Sequence, residues 1–224
     1  MVTNRRISRA GAVLTIGACL AVAALPASAT INANPGFEAG TGGDADNWGE
    51  FFFGGGAATI AERTATEPAS GSWHMRLHLA GTDPSGSHAE AQNLTPLFSV
   101  TPGTLYDFSF DAKRVGDLAP GVVAFYRVQW LDSDGSHGGG VKGSTPLTMF
   151  GNSLTETYQP FGFVGLPAAA DSDAALIAVW MDGGAQANQF GTVYLDNAAL
   201  TVPEPASFGL LLAGAALVLR RRQG

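Results

Sequence analysis

From residue 30 to residue 202 hydrophobic positions recur with a period of two, in short runs broken by clusters of Gly, Pro, Asp and Ser. In residues 73–79, Trp73, Met75, Leu77 and Leu79 share one face while His74, Arg76 and His78 share the other. Tyr106, Phe108, Phe110 and Ala112 alternate in the same way with Asp107, Ser109 and Asp111. Val122, Ala124, Tyr126, Val128 and Trp130 oppose Val123, Phe125, Arg127, Gln129 and Leu131. Residues 175–181 and 192–200 predict two more strands, and weaker ones are expected around 31–38, 50–60, 89–94 and 158–164. Successive side chains of a strand point to opposite faces, so one apolar face per strand is what two packed antiparallel sheets require. No long segment repeats its apolar residues at helical spacing. The pattern predicts an all-β chain, a jelly-roll β-sandwich of about eight or nine strands.

Both ends break this rhythm. Residues 1–29 have a basic start at Arg5, Arg6 and Arg9, an apolar run from Ala10 to Leu25, and then Pro26-Ala27-Ser28-Ala29. Small residues stand at the −3 and −1 positions of a cut after Ala29, which predicts an export signal helix removed by signal peptidase. Ile16-Gly17-Ala18-Cys19 is close to a lipoprotein box, but apolar residues continue beyond it. The Arg5-Arg6 pair leaves the general secretory and twin-arginine routes both open. Cys19 is the only cysteine, so the exported domain is expected to have no disulfide and no thiol chemistry.

At the other end Pro203-Glu204-Pro205 precedes an uncharged run, Ala206 to Leu219, and then Arg220, Arg221 and Arg222. Such a run makes a helix of ~21 Å, short of the ~30 Å hydrocarbon core, with its basic end held on the cytoplasmic side. This three-part arrangement resembles a PEP-CTERM sorting signal. The resemblance implies a precursor held transiently in the inner membrane by a short hydrophobic transmembrane helix. It also implies processing by an exosortase, and delivery to the cell surface or extracellular matrix of a Gram-negative bacterium that makes exopolysaccharide. Release and surface attachment after cleavage are both compatible with it.

The formal charge of −7 understates the acidity of the middle. Half of the twelve basic residues lie in the two end segments, and residues 30–202 hold six Lys/Arg against eighteen Asp/Glu, a net of −12. Binding to a phosphate backbone depends on clustered Lys and Arg, so nucleic acid is excluded as a partner.

Within the middle segment, Asn34-Pro35-Gly36-Phe37-Glu38 is followed by Trp48, Gly71-Ser72-Trp73, Val100-Thr101-Pro102-Gly103 and finally Val193-Tyr194-Leu195-Asp196-Asn197. In order and spacing these segments are similar to the galactose-binding-like jelly rolls of carbohydrate-binding modules. The resemblance spans nearly all of residues 30–202. It implies a non-catalytic domain that binds glycan, and one structural calcium joining the first strand to the last, with Glu38 and Asp196 in one site. Calcium takes six to eight hard oxygens, which carboxylates and nearby carbonyls can supply. Asp132-Ser133-Asp134-Gly135-Ser136 begins like a calcium loop, but Gly143 stands where that loop has its Glu, and a polar hairpin turn is predicted instead.

No catalytic residue is assigned. A glycoside hydrolase needs two carboxylates about 5–10 Å apart across a sugar, whereas Asp107 and Asp111 would stand ~13 Å apart along one strand. No Gly-x-Ser-x-Gly elbow occurs. His74 and His78 have the same ~13 Å spacing, too wide to share one zinc ion. If the strands carrying them lie in one sheet with those of Phe125, Arg127, Gln129 and Trp180, their polar sides join. His74, Arg76, His78, Phe125, Arg127, Gln129 and Trp180 would then form a sugar-binding surface of flat rings and hydrogen-bonding groups. Phe51-Phe52-Phe53 cannot all point one way on a strand, so at least one faces away from the core, toward a ligand or beneath a neighbouring loop. The expectation is an exported protein that binds exopolysaccharide or another glycan. A structural or adhesive surface protein that self-associates, and a glycan-active hydrolase, are the alternatives.

Overall fold

The computed structural model describes residues 29–54, 59–81, 86–93, 97–183 and 189–203. Fifteen strands follow in chain order: β1 (Ala29–Thr30), β2 (Gly40–Thr41), β3 (Asp44–Ala45), β4 (Trp48–Phe53), β5 (Ile60–Thr64), β6 (His74–Ala80), β7 (Ser87–Asn93), β8 (Phe98–Ser99), β9 (Leu105–Arg114), β10 (Val123–Asp132), β11 (Gly140–Ser144), β12 (Thr148–Met149), β13 (Gln159–Pro167), β14 (Ala174–Gly183) and β15 (Phe190–Val202). They form two antiparallel sheets. Sheet I runs β13-β9-β15-β6-β5, with β1 added to β15. Sheet II runs β11-β10-β14-β7-β4, with β12 added to β10 and β8 to β14. The small β2–β3 pair stands apart. This is the jelly-roll sandwich that the alternation predicts.

The core lies between the two sheets, where each strand turns its apolar set inward. Met75, Leu77 and Leu79 from β6, and Phe108 and Phe110 from β9, meet Val128 of β10 and Ile177 and Met181 of β14, all buried. Phe110 also packs against Tyr126, Phe150 and Phe161, with centroids 5.1–5.6 Å apart. The strands with the clearest period-two pattern lie in the middle of the sheets, where burial on the inner face is complete.

Two expectations need correction. Residues 31–38 do not form a strand: Asn34 and Phe37 have φ of 52° and 56° and the chain turns there. The segment still follows β15, because the Asn32 side chain stands in for the missing ladder, donating to Ala198 O and accepting from Leu200 N (2.6 and 2.7 Å). Residues 50–60 are not one strand either. β4 belongs to sheet II and β5 to sheet I, so the chain changes sheets between them.

The export signal and the PEP-CTERM segment, apart from Ala29 and Pro203, lie outside the described residues. Among the described residues no helix is long and apolar enough to cross a membrane.

Candidate functional site

The strand pairing of sheet II brings together a patch on its outer face. In an antiparallel ladder directly paired residues project to the same side. Phe125 pairs with Trp180, Trp180 with Glu90 and Glu90 with Phe51, giving one row across β10, β14, β7 and β4. Val123, Asp182, His88 and Phe53 form the next row, and Arg127, Ala178, Gln92 and Gly49 the row on the other side. Small residues at Ala178 and Gly49 make this last row lower than the aromatic one.

The polar groups of the patch are linked. Trp180 Nε1 donates to Asp182 Oδ2 at 2.9 Å. Asp182 Oδ1 lies 2.6 Å from His88 Nδ1, and Glu90 Oε2 lies 3.0 Å from His88 Nε2. Burial works against a charge on His88, but hydrogen bonds to Asp182 and Glu90, and their negative charges, outweigh it and push its pKa up to about 9. At neutral pH both ring nitrogens therefore donate, one to each carboxylate. Phe53 stacks on the imidazole at 4.9 Å, nearly parallel. Arg127 places its guanidinium 5.3 Å from the Trp180 ring centre, and Phe125 covers the same indole at 5.6 Å. Arg127 Nε is buried with no hydrogen-bond partner among the described residues.

Trp180, only 8% exposed, is a floor rather than an open platform. The exposed rings are Phe51, Phe52 and Phe53, at 45%, 50% and 64%. Among the described residues no loop covers any of the three, contrary to the reading that places the segment beneath one.

Of the residues expected to form a sugar-binding surface, Phe125, Arg127, Gln129 and Trp180 do share this face, on neighbouring strands β10 and β14. His74, Arg76 and His78 do not join them. They lie on β6, in sheet I, on the opposite outer face of the sandwich. There His78 Nδ1 meets Thr192 Oγ1 at 2.8 Å and Arg76 pairs with Glu62. His74 is fully buried against Tyr194 (4.3 Å), with neither nitrogen hydrogen-bonded among the described residues. Burial, with Lys113 and Arg76 nearby, lowers its pKa to about 4. Asp107 and Asp111 are likewise tied down, to Gly165 N and Asn197 Nδ2. His88 and Glu90 were missed in the sequence. The signal was the alternation in 87–93, whose buried set of Ser87, Ala89, Ala91 and Asn93 is too small and polar to stand out as a core face.

Near the ends of the described chain, Glu38 and Asp196, the latter at the bulge in β15, both hold backbone amides of the loop 69–73. Asp196, fully buried, accepts from Ala69 N and Ser70 N at Oδ2 (both 2.9 Å) and from Asn197 N at Oδ1 (2.7 Å). Glu38 Oε1 accepts from Ser72 N and Trp73 N (2.8 and 3.1 Å). Burial, and to a lesser degree the Glu38 charge, raises the Asp196 pKa despite those donors. Gly36 leaves a space beside both: a Cβ there would stand 3.7 Å from Asp196 Oδ1, 3.8 Å from Asn197 Oδ1 and 3.7 Å from Glu38 Cγ. Asp196 Oδ1 and Asn197 Oδ1 are hard donors of the kind calcium takes, whereas Glu38 approaches Gly36 through Cγ and turns its carboxylate toward Gly71, Ser72 and Trp73.

No family model and no curated protein matches the chain. Among solved structures, the carbohydrate-binding module TmCBM61, in complex with β-1,4-galactotriose, aligns over 79% of this chain and all of its own, at 15% identity and a TM-score of 0.50. The chain shares its fold. A cyclase from Fischerella sp. TAU aligns over 79% of this chain and 98% of its own (18% identity, TM-score 0.51). An arabinose-bound α-L-arabinofuranosidase, MgGH51, aligns over 79% of this chain but only 27% of its own (16% identity, TM-score 0.52). A binding module, a cyclase and one part of a larger enzyme chain share this scaffold, which leaves the activity to be argued from the site.

Proposed function

We propose that residues 30–202 form a non-catalytic glycan-binding module. One observation carries this reading: exposed Phe51 and Phe53 stand next to Glu90 and His88, on the same sheet face as Asp182 and, farther across the sheet, Arg127. Sugars are bound by rings that stack on their apolar faces and by fixed donors and acceptors that select their hydroxyls. Phe51 and Phe53 supply the rings, Trp180 and Phe125 hold Arg127 in place, and the His88 network fixes two carboxylates as acceptors. The galactotriose-bound module of the same fold is consistent with such a role. Calorimetric titration with the source organism's exopolysaccharide tests it. Saturable heat is expected, weakened tenfold or more by Arg127→Ala or Phe53→Ala; absence of heat with that polymer and with a panel of neutral and acidic polysaccharides overturns it.

The same proposal includes the life of the precursor. Export through residues 1–29, transient holding in the inner membrane by residues 203–224 and exosortase processing deliver the domain to the surface or matrix, where its glycan would be. Substituting Pro203, Glu204 and Pro205 together is expected to leave the protein in the membrane fraction. A calcium held by Glu38 and Asp196 would tie the two ends of the domain together; these residues would bind and orient it, and the ion would supply positive charge between them.

A second reading rests on Phe52, which is exposed with Phe51 and Phe53 on the edge strand β4. Exposed apolar edges invite pairing with another copy. Self-association that rises with concentration in sedimentation, and is abolished by Phe52→Lys, supports an adhesive role.

A further inference from the structure

The hairpin between β10 and β11 gathers charge that neither the sheet II face nor the Glu38–Asp196 pair uses. Carboxylate oxygens of Asp132, Asp134 and Asp173 lie within 4.8 Å of one another. Most of their hydrogen-bonding capacity is satisfied locally. Asp173 accepts from Ser133 N, Ser133 Oγ and Asp134 N at 2.6, 2.8 and 3.1 Å, and Asp134 Oδ1 accepts from Ser136 N at 2.8 Å. Asp132 Oδ2 takes His137 N and Gly139 N at 2.9 and 2.6 Å, with Lys142 Nζ 3.6 Å away.

One oxygen is left over. The Asp132 side chain is wholly enclosed, yet its Oδ1 has no hydrogen-bond partner among the described residues. A carboxylate oxygen buried without a donor is costly, and more so with two further carboxylates beside it. Lys142 sets one positive charge against three negative ones.

We propose that this hairpin binds a hard divalent cation, Ca²⁺, between Asp132 Oδ1, Asp134 and Asp173. All three donors are carboxylates, which suit Ca²⁺ and give no preference for softer metals. The sequence Asp132-Ser133-Asp134-Gly135-Ser136 opens as a calcium loop opens, and lacks that loop's own Glu because Gly143 stands there. The third carboxylate comes instead from Asp173, which immediately precedes β14. An ion here fastens the end of β10 to the start of β14, the two strands that carry Phe125, Arg127 and Trp180. The hairpin site is separate from the Glu38–Asp196 pair and does not depend on glycan binding.

The test is a CaCl₂ titration of the full chain, first treated with chelator, followed through the backbone amide signals of Gly135 and Gly139. These signals are expected to move and saturate with a Kd of about 10⁻⁴–10⁻³ M, the range of extracellular calcium modules. Asp134→Asn keeps the acceptor for Ser136 N and is expected to weaken the response tenfold or more, whereas Glu38→Gln leaves it unchanged. If Gly135 and Gly139 stay still in the wild-type protein up to 10 mM CaCl₂, a ceiling about tenfold above that range, the proposal fails, whatever the signals around Gly36 do. An Asp134→Asn response equal to that of wild type also overturns it. The wild-type titration decides even if the variant does not fold.

Discussion

Two histidines on opposite faces of the sandwich show how far the environment moves one kind of side chain. His88, between Asp182 and Glu90, titrates near 9 in the fold, while a histidine in the unfolded chain titrates near 6.5. The folded state therefore holds the proton more tightly, and the resulting stability is complete below about pH 6.5 and lost as the pH climbs through 9. Every tenfold gain in proton affinity is worth about 1.4 kcal/mol, and screening at the partly exposed Asp182 trims the total to roughly 2 kcal/mol. Melting curves are expected to fall more steeply between pH 6.5 and 9 for wild type than for His88→Gln; parallel curves would count against the assignment. His74 behaves in the opposite way. Burial holds its folded pKa near 4, so the stability of its neutral ring is intact above about pH 6.5 and lost as the pH drops toward 4. His74→Phe, which keeps a ring against Tyr194, is expected to flatten that acid limb. Nothing in the period-two pattern separates these two histidines, since each alternates with apolar residues on its own strand.

For whole strands, the glycines of β13 show where backbone proximity limits the sequence. Gly162 pairs with Ser109 of β9, and a Cβ on it would stand 1.9 Å from Phe108 O. Gly165, two residues beyond Phe163, has φ of +68° but open space where a Cβ would go. Gly165→Ala is expected to cost about 1 kcal/mol through its backbone conformation alone. Gly162→Ala must push two strands apart and is expected to cost about 2–3 kcal/mol. Urea midpoints should fall in the order wild type, Gly165→Ala, Gly162→Ala; equal midpoints for the two variants would contradict the close approach. The strong strands β6, β9, β10 and β15 were legible because large apolar residues alternate with polar ones, and β14 because a short unbroken apolar run, Ala174 to Met181, ends at Asp182 and Gly183. The segment 31–38 was not, because the Asn32 side chain replaces a backbone ladder and periodicity carries no trace of that.

Across the whole molecule the acidic excess acts at long range. With a net of −12 over residues 30–202, like charges repel across a sandwich small enough for salt to matter. Raising NaCl from 10 mM to 0.3 M is expected to raise the melting temperature by a few degrees. Millimolar CaCl₂ should raise it further by mass action, since an ion bound only by the folded state stabilises it. If calcium adds nothing beyond its ionic strength, then neither the Glu38–Asp196 pair nor the hairpin carboxylates bind it.

The sequence alone determined the fold class and the inner face of the main strands, because side-chain direction along a strand is local and repeats every two residues. It also determined the acidity of the domain and the character of its two ends, which are properties of composition. Only the tertiary structure decided which strands share a sheet. Arg127 lies beside Ala178, and Trp180 beside Glu90, through pairings between residues distant in sequence. His74, Arg76 and His78 satisfy the same alternation yet lie on the other side of the core. The order of strands is set by packing two sheets around one core, and a period of two is the same in either sheet.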